Sequence, residues 1–239
     1  MFEYIWIRCN TMRPYVIVNV AMSADGKLST RQRRQVRISG EEDFKRVDRL
    51  KAASDAVMVG IGTVLADDPS LTVKSPDLKS QRRKQGKDEH PIRVVVDSRL
   101  RIPPKASVLH NGEGLRVIAC SQLADDARIC AIAPLATVIQ AGDQRVDLAV
   151  LLDELSMMGV GQLMVEGGGT LIWSLLEFGL VDEISCFIGG LIIGGEDAPT
   201  LADGIGFINE ASFVKLRLIS VEPLDQGVLL CWKVIGRSQ

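Results

Sequence analysis

A single α/β domain is the fold this sequence predicts, with a mixed, mostly parallel central sheet flanked by helices and antiparallel C-terminal strands. Three observations carry that reading. Apolar, β-branched runs alternate with helix-patterned segments through most of the chain and then give way to strands alone. The 239 residues, 46% apolar and 24% charged, suffice for one large core. Several apolar runs end in Gly, Ser or Asp, as strands do where they turn into helices at a ligand-binding edge.

The elements follow in order. Residues Tyr15 to Met22 are apolar and β-branched, a buried strand. Ser39 and Glu42 have capping-box spacing, and Phe44, Val47 and Leu50 recur at i, i+3 along the helix they would start. Ala56 to Val59 is a short strand that runs through Gly60-Ile61-Gly62-Thr63 into a helical turn, closed by Asp67-Asp68-Pro69. Lys74 to Asp88, dense in Lys, Arg, Gln and Ser, reads as a mobile surface loop. Ile92 to Val96 is a strand ending in Asp97-Ser98-Arg99; Leu115 to Cys120 and Thr137 to Gln140 are further strands, and Leu148 to Met158 is helical. Gln162 to Val165 is a strand followed by Glu166-Gly167-Gly168-Gly169-Thr170 and a helix over Leu171 to Phe178. Glu183 to Ile188 is a strand, and Val214 to Val221 and Val228 to Val234 form an antiparallel pair. Residues 1–12 read as a loose N-terminal extension, with the patterned domain spanning 13–236; Met12 stands directly before Arg13-Pro14-Tyr15. The apolar stretch Phe178 to Ile193 is a candidate dimer seam.

Composition excludes several functions. A net charge of -2 gives no polyanion footprint, so no nucleic-acid partner is expected, and no run is long enough to span a membrane. The five cysteines (Cys9, Cys120, Cys130, Cys186, Cys231) are scattered, mostly within apolar runs, and read as buried, reduced thiols of a cytoplasmic protein. With no CxxC pair, and with His90 and His110 far from any cysteine, neither a metal site nor a Cys–His or Ser–His nucleophile is expected.

Three strand ends carry the chemistry. Bare glycines at a strand-to-helix turn leave backbone N–H groups unblocked at a positive helix end, which suits a phosphate. Glycines also simply make tight turns, and neither cluster is a GxGxxG fingerprint or a P-loop. Two glycine-rich helix starts, with Ser98 and Arg99 at a third strand end, fit one ligand with several phosphates or two phosphate-bearing ligands. Asp67 and Asp68 sit where the helix dipole disfavours acids, a modest functional hint, whereas Asp25-Gly26-Lys27 fits an ordinary turn.

The runs 19–27, 59–69 with Leu71-Thr72-Val73, 95–101 and 165–170, together with Gly179-Leu180-Val181-Asp182-Glu183 and the segment 193–200, closely resemble the reductase family of riboflavin biosynthesis. The six blocks occur in family order across nearly the whole chain, and the stand-alone archaeal type is the most similar. The deaminase signature that accompanies the bacterial members, His-x-Glu with Pro-Cys-x-x-Cys, is absent from this sequence. The resemblance implies a dihydrofolate-reductase-like fold, NADPH as cofactor, a homodimer, and reduction of a ribosylaminopyrimidine 5′-phosphate to its ribitylamino form by hydride transfer to ribose C1′.

Site roles follow from the same resemblance. Gly167, Gly168, Gly169 and Thr170 would hold the cofactor pyrophosphate; Gly62, Thr63 and Asp67 would line the cofactor; Val96, Asp97 and Ser98 would receive its adenosine end. Asn19, Asp25, Lys51, Leu71, Lys74 and Glu166 would face the pyrimidine ribosyl phosphate. Bacterial relatives carry arginine at the positions of Lys51 and Lys74, and lysine keeps the charge without the bidentate fork. Asp67 is the expected catalytic carboxylate and Glu166 the substrate anchor. Competing readings are a dihydrofolate- or pteridine-type reductase, a nucleotide-binding domain without turnover, and a phosphosugar-binding structural subunit.

Overall fold

The computed structural model describes residues 13–34 and 36–237, so the extension expected over residues 1–12 lies outside the described residues. Nine strands form one sheet in the order β5-β4-β3-β2-β6-β1-β7-β9-β8. They are β1 (Tyr15–Ser23), β2 (Ala56–Gly60), β3 (Ile92–Val96), β4 (Arg116–Cys120), β5 (Thr137–Gln140), β6 (Gln162–Val165), β7 (Glu183–Gly189), β8 (Val214–Leu224) and β9 (Gly227–Arg237). The first seven positions in that order are all parallel neighbours; β9 runs antiparallel to β7, and β8 antiparallel to β9.

Continuous apolar strands are what such a sheet requires, because both of its faces are covered. In β2, Ala56 and Met58 belong to one core, with Val16, Val18, Leu151, Leu155, Ile172 and Leu175, while Val57 and Val59 belong to a second, with Val95, Leu100, Val108, Ile118 and Ile132. The first core is closed by α6 (Leu148–Met157) and α7 (Gly169–Glu177). The second is closed by α2 (Ile61–Asp67), α4 (Ser107–His110) and α5 (Asp126–Ile132), with Val47 and Leu50 of α1 (Glu41–Ala53) packed against it.

Four local expectations are corrected. The capping box at Ser39 does not form: Gly40 is the N-cap of α1, without a side-chain cap of its own. The carboxylate of Asp225, in the turn between β8 and β9, instead accepts hydrogen bonds from the backbone N–H groups of Gly40, Glu42 and Asp43. Those bonds hold the Asp225 carboxyl below the ordinary range. The segment read as a mobile loop contains a helix, α3 (Pro76–Lys84), started by the Ser75 side chain and Pro76. Its inward-facing residue is Arg82, whose guanidinium donates to the carbonyls of Ala52, Ser54 and Asp88. Polar anchoring of this kind leaves no apolar periodicity to read.

The middle of the stretch Phe178 to Ile193 is not on the surface, because β7 lies inside the sheet between β1 and β9 with Ile184, Cys186 and Phe187 buried; Phe178 and Ile192, near its ends, are exposed. The apolar surface lies instead on the edge strand β8, where Leu216, Leu218, Ile219 and Val221 are exposed. Of the described cysteines, Cys120 and Cys186 are buried as expected, but Cys130 is exposed on α5.

Candidate active site

Parallel pairing brings the carboxyl ends of β3, β2, β6 and β1 to one edge of the sheet, side by side. Three interstrand spacings cover about 14–15 Å, enough to lay a dinucleotide across the edge. A cleft of about 2220 Å³ opens there. That exceeds the ~300–1,000 Å³ of a pocket for one small ligand and accommodates two.

Each glycine of the turn after β6 has its own reason. Gly167 and Gly168 have φ of 120° and 94°, a backbone that L side chains rarely adopt. Gly169 is needed for space: a Cβ there would meet the Thr200 carbonyl oxygen and the Asp203 carboxylate, each at 2.6 Å. Helix α7 starts at Gly169, so the first N–H groups of the helix have no intrahelical acceptor and face a turn without side chains. Gly62 and Thr63, on the first turn of α2, line the same wall, and the Thr63 hydroxyl lies beside Gly168.

Val96 and Ser98 line the cleft beyond β3, joined by Arg99, Arg101 and, from the loop before α6, Arg145. The Ser98 hydroxyl accepts from the Val146 N–H and so ties the two segments together. Asp97 is not on this wall. Its fully buried carboxylate accepts from the Ile102 N–H and shapes the turn after β3, and burial raises its pKa. Asp25 is not on it either: its carboxylate accepts from the Ser23 hydroxyl and the N–H groups of Ile193 and Gly194. Those bonds lower its pKa to about 2, the Ser23 hydroxyl contributing most. Asp68, in the left-handed region with φ 42°, accepts from the N–H and hydroxyl of Ser107 and so starts α4. Of the four acids Asp25, Asp67, Asp68 and Asp97, only Asp67 lines the cleft.

A further part of the cleft wall is built on α1. Asp48 accepts from the backbone N–H groups of Lys74 and Ser75, which holds that segment against the helix. Lys51 pairs with Glu166 at 2.9 Å, the two side chains 12% and 16% exposed. The Lys74 ammonium donates to the hydroxyls of Ser70 and Thr72. Leu71, buried on the cleft wall, has φ 55°, a cost that a leucine bears only where the surroundings impose it. Asn19 projects into the cleft from β1.

Residues 14–230 match the family described as RibD C-terminal domain. The chain belongs to the RibD C-terminal domain family. It is 52% identical over 216 residues to a 2,5-diamino-6-ribosylamino-4(3H)-pyrimidinone 5′-phosphate reductase of Archaeoglobus fulgidus, covering 90% of this chain and 96% of that one. It is 45% identical to the protein of the same name from Methanothermobacter thermautotrophicus, covering 94% and 100%. Among solved structures, Acinetobacter baumannii RibD superposes with a TM-score of 0.75 at 29% identity over 94% of this chain. A Thermotoga maritima diaminohydroxyphosphoribosylaminopyrimidine deaminase/5-amino-6-(5-phosphoribosylamino)uracil reductase superposes with a TM-score of 0.76 at 21% identity over 97% of this chain, a likeness of fold. The chain spans about three fifths of each of those two structures, 58% and 60%.

Within the RibD C-terminal domain fold, sequence reading missed the residues that build the site from behind. Asp43 and Arg46 stand i, i+3 apart among other charged residues, and Arg145 lies in a polar run, so nothing in the spacing singles them out. Only the packing of α1 and the Ser98–Val146 contact reveals them. Among the described residues no group of His, Cys, Asp or Glu could hold a metal ion, and no helix is long and apolar enough to cross a membrane.

Burial, then the neighbouring Lys51 charge, lowers the pKa of Lys74. Its ammonium is the form that binds a phosphate, and a lowered pKa empties that form at lower pH than in an exposed lysine. The KM for a phosphorylated substrate is therefore expected to climb on the alkaline side before the ordinary lysine range is reached. Arginine at this position should move that limb upward; an unchanged limb in Lys74→Arg would assign the titration to another group.

Proposed function

We propose that this chain is an NADPH-dependent reductase that converts the ribosylamino side chain of a pyrimidine 5′-phosphate into the ribitylamino form. The observation that carries the reading is one cleft lined by two sets of groups. A glycine-turned helix start and Ser98 with three arginines supply one set, and a Lys–Glu pair with a second lysine supplies the other. The named reductases from two archaea, alike along nearly their whole length, support the same reading.

Residues 167–170 would receive the pyrophosphate through backbone N–H groups. Ser98, Arg99, Arg101 and Arg145 supply the donors and charge that a 2′-phosphate requires, which favours NADPH over NADH. Bound there, NADPH supplies the hydride. The ribosylamine opens to an imine, the hydride adds to C1′, and the nitrogen takes a proton, giving a secondary amine and a ribityl chain. The protein's work is to hold C1′ in line, to stabilise the cationic iminium and to move one proton.

Two carboxylates face that task. Glu166 is already paired with Lys51, so its charge is matched and its geometry fixed, as suits an anchor for the pyrimidine. Asp67, at the end of α2 on the cleft wall, takes the proton-relay and iminium-stabilising role. Glu166→Gln should raise KM for the pyrimidine by roughly tenfold or more while kcat falls less, because it leaves the Lys51 charge uncompensated. A larger loss in kcat than in KM would move the chemistry to Glu166.

We further read the chain as a cytoplasmic homodimer. Free thiols at Cys120, Cys130, Cys186 and Cys231 suit a reducing compartment, and a second copy would cover the apolar edge strand β8. The deciding experiment follows NADPH oxidation by absorbance with the 2-amino and the 2-oxo ribosylaminopyrimidine phosphates in turn. Turnover of neither would overturn the reading.

A further inference from the structure

Behind the pyrimidine end of the cleft lies a buried polar cluster whose members come from three elements. Asp43 and Arg46 belong to α1, Asn19 to β1 and Ser185 to β7, where Asn19 and Ser185 are register partners. The Arg46 guanidinium bridges them. Its Nε donates to Asp43 Oδ1 at 2.8 Å, one Nη to the Ser185 hydroxyl at 3.0 Å, and the other to Asn19 Oδ1 at 2.7 Å. Asp43, Asn19 and Ser185 are 2%, 7% and 4% exposed, and the Arg46 side chain is 16% exposed.

The chemistry of the donor fixes the polarity of the amide. A guanidinium has five N–H donors and no acceptor, so the Asn19 atom facing it must be the carbonyl oxygen. The amino edge of the carboxamide, with its two donors, is then the part left for the cleft that Asn19 lines. Asp43 holds Arg46 by an ion pair one helical turn away, and Ser185 fixes a second arm, so the fork cannot turn to release Asn19.

We propose that Arg46 is a positioning residue that locks Asn19 as a hydrogen-bond donor toward an acceptor, a carbonyl oxygen or ring nitrogen, of the bound pyrimidine. This rests on the reading of the cleft as a pyrimidine reductase site. It makes Asn19 selective for ligands with an acceptor at that point and intolerant of a donor there, since a mismatched pair would leave two buried donors opposed.

The test compares Asn19→Asp, Asn19→Ala, Arg46→Lys and the Asn19→Ala/Arg46→Lys double variant, each by melting temperature, NADPH Kd and steady-state kinetics with the pyrimidine. Asn19→Asp keeps the shape and gains an ion pair with Arg46 but turns an acceptor to the cleft. Its expected signature is an undiminished melting temperature, an unchanged NADPH Kd and a pyrimidine KM raised by roughly 10- to 100-fold. Arg46→Lys, a point charge that cannot bridge three acceptors, should raise KM several-fold in the wild-type background and add nothing to Asn19→Ala. Wild-type KM in Asn19→Asp, a change confined to NADPH affinity, or additive effects in the double variant would each overturn the assignment while the reductase reading stands. A wild-type enzyme inert with both pyrimidines would overturn the reductase reading, and this assignment with it.

Discussion

Asp67→Asn is expected to lower kcat by about 10²-fold or more with NADPH saturating, the range that positioned proton transfer usually supplies. The substitution keeps the size and the hydrogen-bonding reach of the side chain but removes the charge proposed to stabilise the iminium and the base proposed to relay the proton. Asp67 closes α2, whose first turn carries Gly62 and Thr63 on the same cleft wall, so in the proposed roles one helix joins cofactor contact to chemistry. Glu166 has a partner cation at 2.9 Å, and its loss should appear chiefly in KM. Wild-type kcat in Asp67→Asn would remove Asp67 from the mechanism and leave the protein a pure positioning catalyst.

Gly168→Ala is expected to weaken NADPH binding strongly through the glycine turn after β6. At φ 94° and ψ 97° an alanine lies outside the allowed regions, at a cost of about 1–3 kcal/mol. The neighbours of the added Cβ, the Thr63 hydroxyl at 3.5 Å and the Gly60 backbone, are at ordinary contact distance, so the strain is in the backbone and not in a clash. The turn must relax by rotating the N–H groups that start α7, and NADPH Kd should rise by at least tenfold while far-ultraviolet circular dichroism stays native. Unchanged NADPH affinity would show that this turn does not carry the pyrophosphate.

The parts of the fold that were legible share one property: their physics is local. β1, β2, β3 and β6 are largely buried on both faces, so their sequences are nearly continuous apolar runs, and the glycine turn after β6 announces itself. Where stabilisation is long-range, reading the chain fails. The cap of α1 comes from Asp225, the inner face of α3 is a guanidinium on three carbonyls, and Asp25 accepts from backbone N–H groups of a distant loop. Sequence spacing marks an acid at a strand end but not which way it points. The Lys51–Glu166 pair joins two recognised positions that gave no sign of facing each other, and the Arg46 cluster gave no sign at all.

The Asp225 cap also dictates an order of events. Helix α1 brings Asp43, Arg46, Asp48 and Lys51 to the cleft, yet the carboxylate that starts it lies 185 positions further along the chain from Gly40. A polypeptide leaving the ribosome therefore exposes the α1 segment long before the group that caps it is made. Closing so long a loop is entropically costly, and the C-terminal hairpin repays it only on docking. The substrate wall and the last hairpin thus mature together, so that truncated or still-growing chains lack a finished site.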